Sequence, residues 1–164
     1  MSSGPSWGAI ETPAVLPLVG TVPVAWRVAA LPALLVTATV RLVGTRRRRF
    51  ARLVRLGCYG RGLKPATHSQ AEYAVRAIRW ASRAFPARWG CLEQSTAAAA
   101  LLVGLGRRAE WRHGIALDPI RLHAWIADHE GQPIEEPPET TLYTTICTPD
   151  SPGPPRRGPR GATL

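Results

Sequence analysis

The chain has 164 residues, 45% apolar and 20% charged, with a formal net charge of +10. That length fits one domain with a real core. The three cysteines (Cys58, Cys91 and Cys147) are widely and irregularly spaced, with no CxxC pair, which excludes a disulfide framework and a zinc ribbon. Free thiols in a reducing, cytoplasmic compartment are expected. The positive charge is almost all arginine, with Lys64 the sole lysine, and a basic surface of this kind attracts acidic partners, peptide or nucleic acid.

Taken in chain order, residues 1–24 read as disordered or irregular, with Pro13, Pro17 and Pro23 interrupting any regular element. Residues 25–57 read as an apolar, arginine-rich helical region, broken near Gly44 and Thr45. Its uncharged run "VAALPALLVTATV" (28–40) is short for a membrane span of about 20 residues. Pro32 interrupts it, and Arg27 and Arg41 bracket it. An apolar helix packed on the domain or a partner is the favoured reading, with membrane association second. Downstream, "RRRRFARLVRLG" is a basic amphipathic helix, with Phe50, Leu53, Val54 and Leu56 on its apolar side.

"LKPATHSQAEYAVRAIRWASRAFP" is the clearest helix. Ser69 and Glu72 fit a capping box, Ala74, Ala77, Ile78, Ala81 and Phe85 follow at helical spacing, and Pro86 stops it. "GCLEQSTAAAALLVGLG" (90–106) is a second helix, with Leu92, Ser95, Ala99 and Leu102 on one side. Gly104, Gly106, Arg107 and Arg108 suit its C-terminus, so Cys91 falls in or just before its first turn. The period then changes to two. "EWRHGIAL" is strand-like, and "IRLHAWIA" alternates Ile120, Leu122, Ala124 and Ile126 against Arg121, His123, Trp125 and Ala127. "DHEGQP" is a turn, "PIEE" opens another strand, and "TTLYTTICT" (140–148) is a further one. Residues 149–164 have the composition of a disordered Pro/Arg/Gly tail. Helices followed by a small antiparallel sheet make an α+β chain.

A thiol nucleophile needs its thiolate stabilised, a base for its proton and a group to orient that base. A helix N-terminus favours negative charge, and Cys91 sits at one. His123 supplies a base on a strand, sharing a face with Trp125 as a wall of the site. Glu135 and Glu136, across the turn, supply an acid; Asp128, at the turn, reads as solvated. Each residue alone is usually structural: a lone cysteine is among the most buried residue types, and a lone histidine or a glutamate before proline has ordinary explanations. Their order is the specific signal.

"GCLEQSTAAAALLVGLG" followed by "LHAWIADHEGQPIEEP" resembles the transglutaminase-like cysteine peptidases of lasso-peptide biosynthesis, the B-type leader peptidases. "LKPATHSQAEYAVRAIRWASRAFP" and "TTLYTTI" are similar to the family as well, so the likeness runs over residues 45–148. It implies a transglutaminase-like, papain-like fold, with the catalytic domain at 58–148 and the cysteine at a helix N-terminus. It also implies Cys91 as nucleophile and His123 as base. The connection after the histidine is longer here than in the family pattern. Anchoring on Gly131 and Pro133 selects Glu136 as the acid, the preferred choice, whereas counting from His123 selects Glu135.

No glutamine offers itself for an oxyanion hole; the backbone N–H groups at Cys91 are the candidates. The resemblance implies removal of a leader from a ribosomally made precursor. It also implies two partners, a leader-recognition protein and an ATP-dependent macrolactam cyclase. Residues 1–44 lack the strands of a fused recognition domain, so a separate one is expected. Trp125 and Arg46, Arg47, Arg48 and Arg49 are the substrate-binding candidates, the arginines facing an acidic leader. His113, His129 and Cys147 match no common metal-ligand spacing, and no metal or cofactor is expected. Two alternatives stay open: an acyltransferase working through the same thioester, and a non-enzymatic basic binding protein.

Overall fold

The structure is a computed structural model and describes residues 21–85, 88–117 and 119–146. The expectations for residues 1–20, Pro86, Cys147 and the tail at 149–164 lie outside these residues. Among the described residues four α-helices precede a small sheet: α1 (Val24–Leu42), α2 (Arg49–Gly57), α3 (His68–Ser82) and α4 (Cys91–Gly104). β1 (Lys64–Pro65) and β2 (Arg107–Arg108) form a short parallel pair. β3 (Glu110–Leu117), β4 (Ile120–Ala127) and β5 (Thr144–Thr145) form an antiparallel sheet in the order β4–β3–β5.

Alanine explains how the helices meet. Ala30 and Ala33 of α1, Ala74 and Ala77 of α3, and Ala97, Ala98 and Ala99 of α4 are all buried. Side chains this small let helix axes approach to the low end of the usual 8–10 Å range, so α1, α3 and α4 pack mutually in one core. The apolar run at 28–40 is thus an element of the domain, with Leu34 and Thr37 fully buried on its packed side. α1 continues through Pro32, which removes one ladder hydrogen bond. Trp111 of β3 lies under the helices, its indole N–H donating to Ser95 Oγ at 3.1 Å. Gly57 makes this possible, because a Cβ there would stand 3.1 Å from the Trp111 ring.

Several expectations are corrected. The capping box on α3 is Thr67 with Gln70, not Ser69 with Glu72. Thr67 Oγ1 accepts from the Gln70 N–H and Gln70 Oε1 accepts from the Thr67 N–H. The same S/T-x-x-E/Q pattern occurs in two registers, and the helix begins at the earlier one. Glu72 instead pairs with Arg76, one turn on, at 2.5 Å. α3 ends at Ser82, short of Phe85. "PIEE" is not a strand. Ile134 N–H still donates to Ile126 O at 2.9 Å, but Pro133 has no N–H to give and Glu135 takes a left-handed backbone, φ 55°, which ends the ladder. The described part of "TTLYTTICT" opens within the 3-10 turn Pro138–Leu142; Thr144–Thr145 then pair with Gly114 and Ile115, and the Ile146 N–H donates to His113 O at 2.8 Å. β4 is a strand, yet its expected apolar face divides: Ile120 and Leu122 are 74% and 60% exposed, while Ala124, Trp125, Ile126 and Ala127 are all buried.

Candidate active site

Cys91 is the first residue of α4, with Gly90 as its N-cap. Glu93 in the first turn accepts from the Gly90 N–H at 3.2 Å, and a carboxylate here suits the dipole. Two arginines hold Glu93 from outside: Arg49, at the head of α2, hydrogen-bonds Oε1, and Arg41, at the end of α1, lies 3.7 Å from it. Arg41 also donates to Arg88 O at 2.8 Å. Both N-terminal helices therefore brace the segment that carries the cysteine. The Cys91 side chain is half-buried and its thiol is free.

β4 brings His123 to that thiol. The imidazole is hydrogen-bonded to the Cys91 side chain, and its Nε2 lies 2.7 Å from Glu136 Oε2. That leaves Nδ1 as the ring nitrogen facing sulfur. Burial works against a proton on this ring. The hydrogen bonds to Cys91 and Glu136, with the negative charge of both, outweigh burial and lift His123 to about 9. His123 therefore holds its proton through neutral pH.

The ring is fixed on its faces too. Trp125 stacks on it with centroids 5.8 Å apart and planes 14° apart, and Tyr143 lies 5.4 Å away. Trp125 is 3% exposed. Expected as a wall for substrate, it is instead a buried backing for the imidazole. Gly114, paired with His123 across the sheet, makes room: a Cβ there would stand 2.8 Å from the Trp125 ring and 3.0 Å from Thr144 O.

The two glutamates separate sharply. Glu136 reaches His123; Glu135 turns to Arg76, with Oε1 2.9 Å from Nη2. The left-handed backbone at Glu135 sends consecutive side chains to different partners. Arg79 of α3 clamps this turn, donating to Glu135 O at 2.6 Å and to Glu136 Oε1 at 2.9 Å. Glu136 thus has one oxygen on the arginine and the other on the histidine. Sequence reasoning missed Arg76 and Arg79. Their signal was two arginines three apart, one turn of helix, on a helix otherwise lined with alanine.

Other sequence candidates fall elsewhere. Arg46, Arg47 and Arg48 form an exposed 3-10 turn before α2, while Arg49 is committed to Glu93. Asp128, expected to be solvated, is buried. It accepts from the N–H groups of Glu130 and Gln132, each at 2.9 Å, and lies 3.2 Å from His68 Nδ1. Burial alone would raise its carboxyl; the bonds from Gln132, His68 and Glu130 hold it below the ordinary value. It organises the turn closed by Gly131 (φ 88°). His113 stacks on Trp111, and burial, with the neighbouring His123 charge, lowers its pKa. Cys58 is buried.

A helix-borne thiol, a strand-borne imidazole and a carboxylate behind it define the class of papain-like thiol enzymes, where the chemistry passes through a thioester. The chain belongs to the transglutaminase-like superfamily, whose family model matches residues 22–148. That span takes in α1 and α2 as well as the residues of the site. No curated protein and no solved structure matches the chain.

Proposed function

We propose that this protein is a cysteine peptidase that removes the leader from a ribosomally synthesised lasso-peptide precursor. The observation that carries the reading is His123, held between the Cys91 thiol and Glu136 at the head of α4. The superfamily supports a thiol peptidase or acyltransferase; the lasso-peptide assignment rests on the sequence likeness at 45–148.

In this reading Cys91 Sγ attacks the carbonyl carbon at the leader–core junction. The unpaired N–H groups of the first turn of α4 receive the developing oxyanion. The C–N bond breaks as protonated His123 passes its proton to the departing core amine, leaving the leader as a thioester on Cys91. Neutral His123 then takes a proton from water, whose oxygen attacks the thioester. Sulfur leaves, and the proton returns to the imidazole–thiolate pair. Glu136 holds the ring and stabilises its charged form throughout, and Arg79 holds Glu136. The exposed Arg46–Arg48 turn, close in sequence to the Arg49–Glu93 brace, receives an acidic leader delivered by a separate recognition protein. A macrolactam cyclase then closes the ring on the freed amine.

The deciding experiment incubates precursor and recognition protein with wild type and with Cys91→Ala, and reads products by mass spectrometry. The reading expects leader and core from wild type and intact precursor from the variant. Cleavage by Cys91→Ala at the wild-type rate would overturn it. A new isopeptide mass in place of hydrolysis would assign the same thioester to acyl transfer.

A further inference from the structure

Charge is divided unevenly along this chain. Residues 21–71 hold ten arginine and lysine residues and no aspartate or glutamate, while the rest of the chain has eleven basic and eleven acidic residues. The whole net charge of +10 therefore lies on α1, α2 and the loop to α3. The same layer carries an apolar ridge. Val24, Val28, Leu31, Leu35 and Leu42 follow at intervals of four, three, four and seven, which at 3.6 residues per turn keeps them on one line. All are between 44% and 79% exposed, while Ala30, Leu34 and Thr37 on the packed side are at 0%. Thr39, the hydroxyl nearest the ridge, returns its O–H to Leu35 O at 2.9 Å, so it asks nothing of solvent. Beside the ridge an apolar cleft of about 370 Å³ opens between Pro32, Val36, Leu56, Tyr59, Val103 and Leu105.

We propose that the α1–α2 layer seats the protein on an anionic membrane surface. α1 lies in the plane of the interface, its ridge among the acyl chains and the exposed Arg46–Arg48 turn at the headgroups. By length and composition α1 is apolar enough to span a bilayer, but its packed side belongs to the domain core, so it lies on the membrane instead of crossing it. Charge disfavours a second copy as the occupant, because dimerisation through this layer would bring two basic surfaces together. Nucleic acid would use the arginines but not an aliphatic ridge. A protein partner would find on the α1 ridge only valines and leucines, the exposed aromatic residues Phe50 and Tyr59 of the layer lying outside it. A lipid surface uses both features at once: burial of the ridge, and attraction of arginines to acidic headgroups that fades within a Debye length.

The proposal does not involve the chemistry at Cys91, although it shares the Arg46–Arg48 turn with the leader-binding reading, and its test reads binding to lipid. The full chain is sedimented with phosphatidylcholine vesicles and with vesicles that also contain phosphatidylglycerol, at low and high salt. Binding to the anionic vesicles should be at least about tenfold stronger than to neutral ones and should weaken with salt. The doubly substituted Val28→Glu/Leu35→Glu protein, altered only at exposed positions, should keep its melting temperature and its rate of Cys91 alkylation while losing about tenfold or more in vesicle affinity. Equal binding to both vesicle types, no binding to either, or unchanged binding by the variant overturns the proposal. Capture of a poly-glutamate probe through the ridge, with no vesicle binding, would overturn it in favour of an acidic polypeptide partner.

Discussion

The Arg46–Arg48 turn and α3 use arginine in opposite ways. Residues 21–71 hold no acidic residue, and Arg46, Arg47 and Arg48 stand in solvent, a field that attracts by charge alone. In α3, Arg76 and Arg79 are 15% and 14% exposed, and each is tied to a carboxylate. There the planar guanidinium serves as a rigid two-pronged donor. Net charge therefore says little about where an arginine acts. What matters is whether a carboxylate has been folded against it, as Glu93, Glu135 and Glu136 are beside the site.

If the two regions are separable in function, the largest effect comes from Cys91→Ala. Leader removal should fall by at least about 10³-fold, as for loss of other catalytic nucleophiles, with the circular-dichroism melting curve unchanged. Glu136→Gln comes next, with kcat reduced about 10²-fold or more by loss of the charge that steadies the imidazolium. It also gives a pH signature. With His123 lifted to about 9, the wild-type rate should decline as pH rises through that value. In Glu136→Gln the decline should move toward neutral pH, since one of the groups raising His123 is gone. The same shift affects stability: the raised histidine contributes fully below its unfolded value of about 6.5 and loses that contribution as pH rises through about 9.

Arg79 tests the contrast between the two kinds of arginine. Arg79→Ala should lower kcat about tenfold with little change in KM, because it positions Glu136 without touching substrate, and Arg79→Lys should restore only part of it. Charge reversal at Arg46, Arg47 and Arg48 should do the opposite, weakening binding to the leader complex severalfold while leaving thiol alkylation unchanged. Asp128→Ala should cost about 1–3 kcal/mol in chemical denaturation, since two backbone N–H groups lose their buried acceptor. Because the native carboxyl is held below its ordinary value, this stabilisation is present above about pH 4 and is lost as the solution is acidified further. The smallest effect should be Ser69→Ala on α3, within about 0.5 kcal/mol in the same assay, because Thr67 is the residue that caps the helix.

Much of the site is local and could be read in sequence. Cys91 heads α4 because a glycine N-cap and an acidic first turn precede an alanine-rich run. His123 and Trp125 share a face because a strand repeats every two residues. The order of helices before sheet followed from the same periodicities, and with it the α+β class. Anchoring on Gly131 and Pro133 preferred Glu136, but the tertiary structure supplied the reason Glu135 turns away: one left-handed residue and arginines more than fifty positions away. It also decided that Trp125 backs the histidine instead of lining a surface, and that Ile120 and Leu122 stay exposed. Periodicity says which side chains share a face. Only packing says whether another element covers that face, and which charged groups from distant segments meet there.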